Sequence, residues 1–330
     1  MPRFEHRPPT REKNMKIFSI CCVRDENDII RDTLEAALKW SDKIFLFDNA
    51  SVDGTWETIS EMARRHPKIV IVGHDDRKFS EELRSEIFED HRSVASPRDW
   101  WCRLDADELY IDDPAQFLAR VPSLYGFVWS ATFNFYFTDA DAEAFDRNPS
   151  AWCARPVLER IRHYQNNWSE PRFVRHRKNL RWKGEMWPPN RGLSAPKRIR
   201  LKHYQYRSPE QIARRIDIRQ RLLTIFPHEA KRELCVPDQA ARSDWSANWM
   251  KTAAFEDVTW RDRIRRAADC DFATADGEFI TREDLMPKLP APAFDVLRAV
   301  VQETAFGAAL IRPIGKWRRN LTRPPGFKIS

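Results

Sequence analysis

A chain of 330 residues, 42% hydrophobic and 32% charged, has the composition of a globular protein with room for one large α/β domain and an appendage. Its formal net charge of +7 draws anions, whether nucleotides, nucleic acid or an acidic membrane face, without choosing among them. Six cysteines without any C-x-x-C spacing argue against a zinc module and read as reduced core residues. The absence of an apolar stretch near the N-terminus, or of any run approaching the roughly 20 residues of a membrane span, argues against secretion and membrane insertion.

Residues 1–14 are polar, basic and proline-bearing, as in a loose tail. Lys16 to Val23 is a short apolar run ending on Arg24, Asp25 and Glu26, the pattern of a buried strand that opens onto a charged loop. Asn27 is placed to cap a helix whose apolar residues Ile30, Leu34, Ala37 and Leu38 share one face, ending near Trp40. Ile44 to Phe47 repeats the strand pattern and ends on Asp48. The turn-forming cluster Asn49 to Thr55 leads into a helix through Trp56, Ile59, Met62 and Ala63, closed by Pro67. Ile69 to Val72 makes a third strand, a helix bearing Phe79, Leu83, Ile87 and Phe88 follows, and Trp100 to Leu104 makes a fourth strand. Strands alternating with helices require crossover connections, hence an α/β fold with a mostly parallel sheet between helices.

Beyond Glu108 the rhythm changes. Pro114 to Val121 reads as a short helix, Gly126 to Phe137 as a strand rich in aromatic and β-branched residues, and 138–170 as irregular. Arg172 to Arg175 and Arg198 to Tyr206 read as further strands around a tight loop at Gly184 to Gly192. Ser208 caps a long helix with Ile212, Ile216, Leu222 and Leu223, and the remainder reads as mainly helical. From Arg312 the tail carries basic but no acidic side chains, and it follows an amphipathic pattern of Phe294, Leu297, Val300 and Val301. That pairing suits peripheral contact with an anionic membrane.

The chemistry concentrates in Trp100 to Glu108, WWCRLDADE, an apolar run that stops on Asp105, Asp107 and Glu108. At a strand end, side chains two apart point the same way, so Asp105 and Asp107 are expected to converge at the carboxyl edge of the sheet. Hard oxygen donors so placed suit Mg2+ or Mn2+ bridging the phosphates of a substrate. An isolated D-x-D is more often an acidic turn or a helix cap, so its meaning depends on the strands around it.

Taken in order, Val23-Arg-Asp-Glu26, Phe47-Asp-Asn-Ala-Ser-Val-Asp-Gly-Thr55 and Leu104-Asp-Ala-Asp-Glu108 resemble the signatures of family 2 glycosyltransferases of the GT-A fold. Leu201-Lys-His-Tyr-Gln-Tyr-Arg-Ser-Pro-Glu210 extends the resemblance to about residue 220. The chain then divides into a flexible basic tail (1–14), a GT-A domain (15–207), a helical C-terminal region (208–311) and a basic tail (312–330). The resemblance implies a metal-dependent, inverting glycosyltransferase with Mn2+ or Mg2+ as cofactor. It would move a sugar from a nucleotide-diphosphate donor, a UDP-sugar before others, to a glycan or glycolipid acceptor at the cytoplasmic side, as in polysaccharide biosynthesis. A nucleotidyltransferase would carry a Gly-rich loop after the first strand, and a nucleic-acid binder an RRM, KH or zinc pattern; the sequence has neither, and the alternative to the transferase is a catalytically inactive GT-A-like scaffold that binds nucleic acid or an anionic membrane.

The same resemblance assigns roles. Arg24 and Glu26 lie near the base, Asp48 and Asp53 hold base or ribose, Asp105 touches the ribose or the water shell of the metal, and Asp107 ligates the metal with His203 beside it. Arg84 reaches a phosphate by that likeness, or pairs with a glutamate of its own helix. Inversion requires a carboxylate to take the acceptor proton, and Glu185 in Trp182-Lys-Gly-Glu-Met-Trp187 is the candidate, with Asp139 and Asp141 in reserve. Relatives carry a glycine followed closely by His or His-Glu in this region, a pattern this chain lacks. Trp152, Trp168 and Trp187 fall in the segments expected to form an acceptor cleft.

Overall fold

The computed structural model describes residues 15–77, 81–182, 187–225, 259–274, 277–286, 288–293 and 295–296. Its first half alternates as the sequence predicts: β1 (Ile17–Val23), α1 (Ile30–Leu38), β2 (Lys43–Asp48), α2 (Thr55–Arg65), β3 (Ile69–His74), α3 (Glu81–His91) and β4 (Trp100–Asp105). Next come β5 (Glu108–Tyr110), α4 (Pro114–Ala119), β6 (Tyr125–Tyr136), α5 (Asp139–Arg147), α6 (Pro149–Ala154) and α7 (Val157–Arg160). The chain continues through β7 (His163–Trp168), β8 (Pro171–Arg175), β9 (Leu193–Ser194), β10 (Ile199–His203), α8 (Pro209–Ile225) and β11 (Asp271–Phe272).

The strands form one mixed sheet in the order β11-β7-β6-β8-β4-β1-β2-β3, with β9 and β10 also pairing with β6 and β5 with β10. The pairs β1–β2, β1–β4 and β2–β3 are parallel. From β4 outward, β8, β6, β7 and β11 pair antiparallel in succession. Strand β10 runs parallel to β6 and antiparallel to β5. The α/β architecture expected for a GT-A domain is therefore present, its parallel half built from the first four strands.

Burial explains this half. Every residue of β1 is buried, as in parallel strands covered on both faces. Ile17, Cys21 and Val23 join Ile44, Leu46, Trp100, Cys102 and Leu104 on one face, covered by Ile30, Leu34 and Ala37 of α1 and Ile59 and Met62 of α2. Phe18, Ile20 and Cys22 point to the other face, with Phe45, Phe47 and Trp101 under Leu83, Ile87 and Phe88 of α3. Each of the larger apolar side chains so buried stabilises the fold by about 1.5–3 kcal/mol relative to exposure. A third core, including Phe133, Phe135, Tyr164, Tyr204 and Ile212, fixes the segment after β10 and the start of α8 to the antiparallel half.

Three local expectations change. The region 138–170 is ordered rather than irregular, holding α5, α6, α7 and β7. Its helices are short, so their signal lies in caps rather than in periodicity: a capping box of Thr138 and Asp141 starts α5, and Asn148 followed by Pro149 starts α6. Asn27 does not cap α1, whose cap residue Ile29 offers no side-chain bond; the Asn27 amide oxygen accepts from Thr58 Oγ1 at 2.7 Å. The strand expected over 198–206 contracts to β10, after which Tyr204 N donates to Asp107 O at 2.9 Å.

Ser208 does cap α8, accepting from Gln211 N at 3.2 Å. Beyond α8, the described pieces run as 3-10 turns at Trp260–Arg263 and Ala267–Asp269 and as β11, which pairs with β7. Phe79, the amphipathic pattern from Phe294 to Val301 (Asp295 and Val296 apart), and both basic tails lie outside the described residues. Among the described residues, no helix is long and apolar enough to cross a membrane.

Candidate active site

The register of the parallel strands sets the site. Val23 lies opposite Asp48 and Cys22 opposite Asp105, so the loops after β1, β2 and β4 leave the sheet along one carboxyl edge. The first two loops are interlocked: Asp25 N donates to Ser51 Oγ, Val52 N to Asp25 Oδ1, Glu26 N to Thr55 Oγ1 and Asn27 N to Asp53 Oδ2, all within 2.8–3.1 Å. Asp25 (φ 53°) and Ala50 (φ 51°) both adopt the left-handed conformation. Such residues cost on the order of 1–3 kcal/mol each and persist only where their surroundings impose them.

Asp48 is fully buried and accepts from Ser51 N (3.0 Å), Ser51 Oγ (2.6 Å) and His74 Nδ1 (2.8 Å). Asp53 accepts from Asn27 N (3.1 Å), Thr55 N (3.1 Å) and Thr55 Oγ1 (2.5 Å). Both carboxylates thus organise the loops that carry them. Arg24 projects to solvent beside Asp25, 3.9 Å away. Glu26 turns inward onto Arg207. Burial pushes the Glu26 carboxyl up to about 7, against the pull of Arg207 and with the push of Asp107.

Asp105 and Asp107 do not point the same way. The strand ends at Asp105 and the chain turns through Ala106 and Asp107 before β5, so the alternation of a strand no longer applies. Each carboxylate enters its own group of cations. Asp105 accepts from Arg84 Nη2 at 2.6 Å and from Arg172 Nη1 at 2.9 Å, with Arg103 Nε 3.7 Å away. Burial alone would raise the Asp105 carboxyl; Arg103, Arg172 and Arg84 outweigh it and hold it well below the usual carboxylate range. Arg172 also binds Glu108 and Glu170, so one buried guanidinium serves three carboxylates. Burial pushes Glu108 up to about 8 even so, offset by Arg172 and reinforced by Asp105.

Asp107 is buried against His203, Arg207 and Arg215. Its Oδ2 lies 3.5 Å from His203 Nε2, 3.6 Å from Arg215 Nη1 and 3.7 Å from Arg207 Nη1. Burial would raise this carboxyl; His203 first, then Arg215 and Arg207, outweigh it and hold it below the usual range. Burial pulls His203 down, and Asp107 and Glu108 raise it above its ordinary value. His203 Nδ1 lies 3.0 Å from Asn134 Oδ1, an acceptor, so Nδ1 carries the proton and the Nε2 edge faces Asp107. This is how a metal-binding histidine is held from its far side.

Among the described residues, no group of three or more His, Cys, Asp or Glu side chains is placed to hold a metal ion. The Asp107–His203 pair nevertheless offers one carboxylate and one imidazole donor, which would suit a divalent ion that also takes phosphate oxygens and water. Asp105 does not complete such a set, because both its oxygens are engaged by Arg84 and Arg172.

The structure therefore brings Glu26, Arg84, Asp105, Asp107 and His203 to one edge, while Asp48 and Asp53 are engaged within the loops after β1 and β2 and Arg24 is exposed. Glu185 lies outside the described residues. Asp141 is spent on the capping box, and Asp139 accepts from Ala140 N and Ala267 N. Trp152 packs in the core against Phe137, Trp187 stacks on Trp182 at 5.8 Å, and Trp168 donates to Glu170. Sequence reasoning missed Asn134, Arg172, Arg207 and Arg215. Arg207 stood inside the quoted motif as its only arginine, which was the available signal.

The sequence matches no protein-family model and no curated protein. Among solved structures, it is similar to the mannosyltransferase PcManGT from Pyrobaculum calidifontis in complex with GDP-Man and Mn2+, at 12% sequence identity and a TM-score of 0.36. That likeness covers 65% of this chain and 64% of the mannosyltransferase, so the chain spans less than two thirds of its length; neither donor nor residue roles follow from it.

Proposed function

We propose that the protein is a metal-dependent, inverting glycosyltransferase that transfers a sugar from a nucleotide-diphosphate donor to a glycan or glycolipid acceptor. The observation that carries this reading is the convergence of three of the four sequence signatures on one buried guanidinium, with the second tied to the first. Arg207 donates to Glu26 of the first and to Asp28 just beyond it, at 2.9 Å, and stands 3.7 Å from Asp107 of the third. The second is laced to the first through Ser51, Asp53 and Thr55.

In this reading Asp107 and His203 would hold Mn2+ or Mg2+, and Asn134 keeps the His203 ring in the tautomer required. The ion supplies positive charge where negative charge develops on the departing nucleoside diphosphate. Arg84 and Arg172 fix Asp105 in its ionised form, where it accepts a ribose hydroxyl or a water of the ion. The interlocked loops after β1 and β2 present Arg24 and the backbone around Val52 to the nucleoside. The base that removes the acceptor proton is assigned to Glu185.

The test is release of nucleoside diphosphate from a panel of UDP- and GDP-sugars incubated with the full chain and Mn2+, with and without oligosaccharide or polyprenyl-phosphate sugar acceptors. Manganese-dependent release that rises with one acceptor is expected. No release above the rate of an Asp107→Asn variant on any donor would contradict the assignment.

A further inference from the structure

The two arginines beside Asp107 are held very differently. Arg207 is completely buried, and its guanidinium is spent on Glu26, Asp28 and the Tyr204 carbonyl. Arg215, one and a half turns into α8, has a side chain 26% exposed; it donates to Gln205 O at 3.2 Å and lies 5.8 Å from the Tyr206 ring centroid. Its contact with Asp107 is a loose 3.6 Å, without a hydrogen bond. Its neighbour Arg214 stands 3.9 Å from Asp53, so α8 lays two consecutive arginines over the loops after β2 and β4.

A divalent ion held by Asp107 Oδ2 and His203 Nε2 would sit about 2 Å from each donor and so within a few ångström of both Arg215 and Arg207, whose like charges would oppose it. The buried Arg207 cannot withdraw, whereas the exposed Arg215 can. An arginine leaving Asp107 at this edge finds its best new partner in the phosphate oxygens of the ligand that arrives with the ion, which the guanidinium fork matches.

We propose that Arg215 is an exchangeable counter-charge: it neutralises Asp107 in the ligand-free protein, is displaced by the divalent ion, and then binds the donor diphosphate. It thereby couples ion binding to nucleotide binding, since the displaced guanidinium gains a partner only when the diphosphate is present. The inference rests on the donor-binding reading given above.

The experiment compares the full chain with Arg215→Gln and Arg215→Lys. Mn2+ binding without nucleotide is read from the loss of the free-ion paramagnetic resonance signal, and UDP and GDP binding at saturating Mn2+ is read by calorimetry. Arg215→Gln is expected to bind Mn2+ alone more tightly than the wild type, because its competitor is gone. It should bind the nucleoside diphosphate about ten- to a hundredfold more weakly, through loss of a charged hydrogen bond. Arg215→Lys, which keeps the charge, is expected to fall between. A merely structural arginine would not move the two affinities in opposite directions. Wild-type protein that binds Mn2+ and nucleotide together, with Arg215→Gln unchanged in both affinities or weaker in both, overturns this inference and leaves the transferase reading intact. Wild-type protein with no manganese-dependent nucleotide binding overturns both.

Discussion

Asn134 Oδ1 accepts the Nδ1 proton of His203 at 3.0 Å, which turns Nε2 toward Asp107 Oδ2 at 3.5 Å. Asn134 is itself oriented, because its amide nitrogen donates to Asn167 Oδ1 at 3.0 Å. Asn134→Ala frees the ring to rotate or change tautomer. If His203 is a ligand, the variant loses about 10–100-fold in manganese-dependent nucleotide affinity, the usual effect of removing such a support. Calorimetry alongside a thermal melt checks this, since unchanged affinity would remove His203 from the metal site.

The separate surroundings of Asp105 and Asp107 predict separate costs. Asp105→Asn weakens two charged hydrogen bonds, from Arg84 at 2.6 Å and from Arg172 at 2.9 Å, each worth about 1.5–3 kcal/mol. Asp107→Asn breaks only contacts of 3.5 Å or more, and Arg207 keeps Glu26 and Asp28. Urea unfolding should therefore show a large loss for Asp105→Asn and a much smaller one for Asp107→Asn, although the second abolishes ion-dependent binding.

Arg207 predicts a structural cost of its own. Arg207→Met leaves Glu26, Asp28 and Asp107 facing one another without the buried cation, a loss of about 3–5 kcal/mol visible as a lower Tm. Arg207→Lys should not rescue it, because an ammonium cannot serve Asp28 through two nitrogens as Nε and Nη2 do.

Stability should also depend on pH through Glu108. Burial raises its carboxyl from the ordinary 4.5 to about 8, so folding takes up a proton between those values. The contribution of this group is complete below about 4.5 and is lost as pH rises toward 8. Glu108→Gln removes the titration. The stability of the wild type relative to this variant should fall steadily from pH 5 to pH 8 in denaturant unfolding; a constant difference would mean that Glu108 stays ionised in the folded protein.

How much of this was legible in the sequence follows from the range of each interaction. The parallel half was readable because strands buried on both faces are continuous apolar runs, as in Ile17–Val23, and their ends are marked by charged residues. The helices α5 to α7 were not, since they are too short for a periodic signal and announce themselves only through Thr138, Asp141, Asn148 and Pro149. The D-x-D was visible, but the opposite fates of its two carboxylates depend on Arg172 and Arg207, which are brought in from 67 residues away and, through its tie to Glu26, from 181. Pairings of that span carry no local pattern.

The central claim is that the edge built around Asp107 and His203 binds a nucleoside diphosphate through a divalent ion. Calorimetric titration of UDP and GDP into the full chain, with Mn2+ and with chelator, tests it most directly, Asp107→Asn serving as the control. The account predicts binding of one nucleotide that requires Mn2+ and disappears in Asp107→Asn while the variant stays folded. Binding indifferent to Mn2+, binding retained by Asp107→Asn, or no binding by the wild type would contradict it.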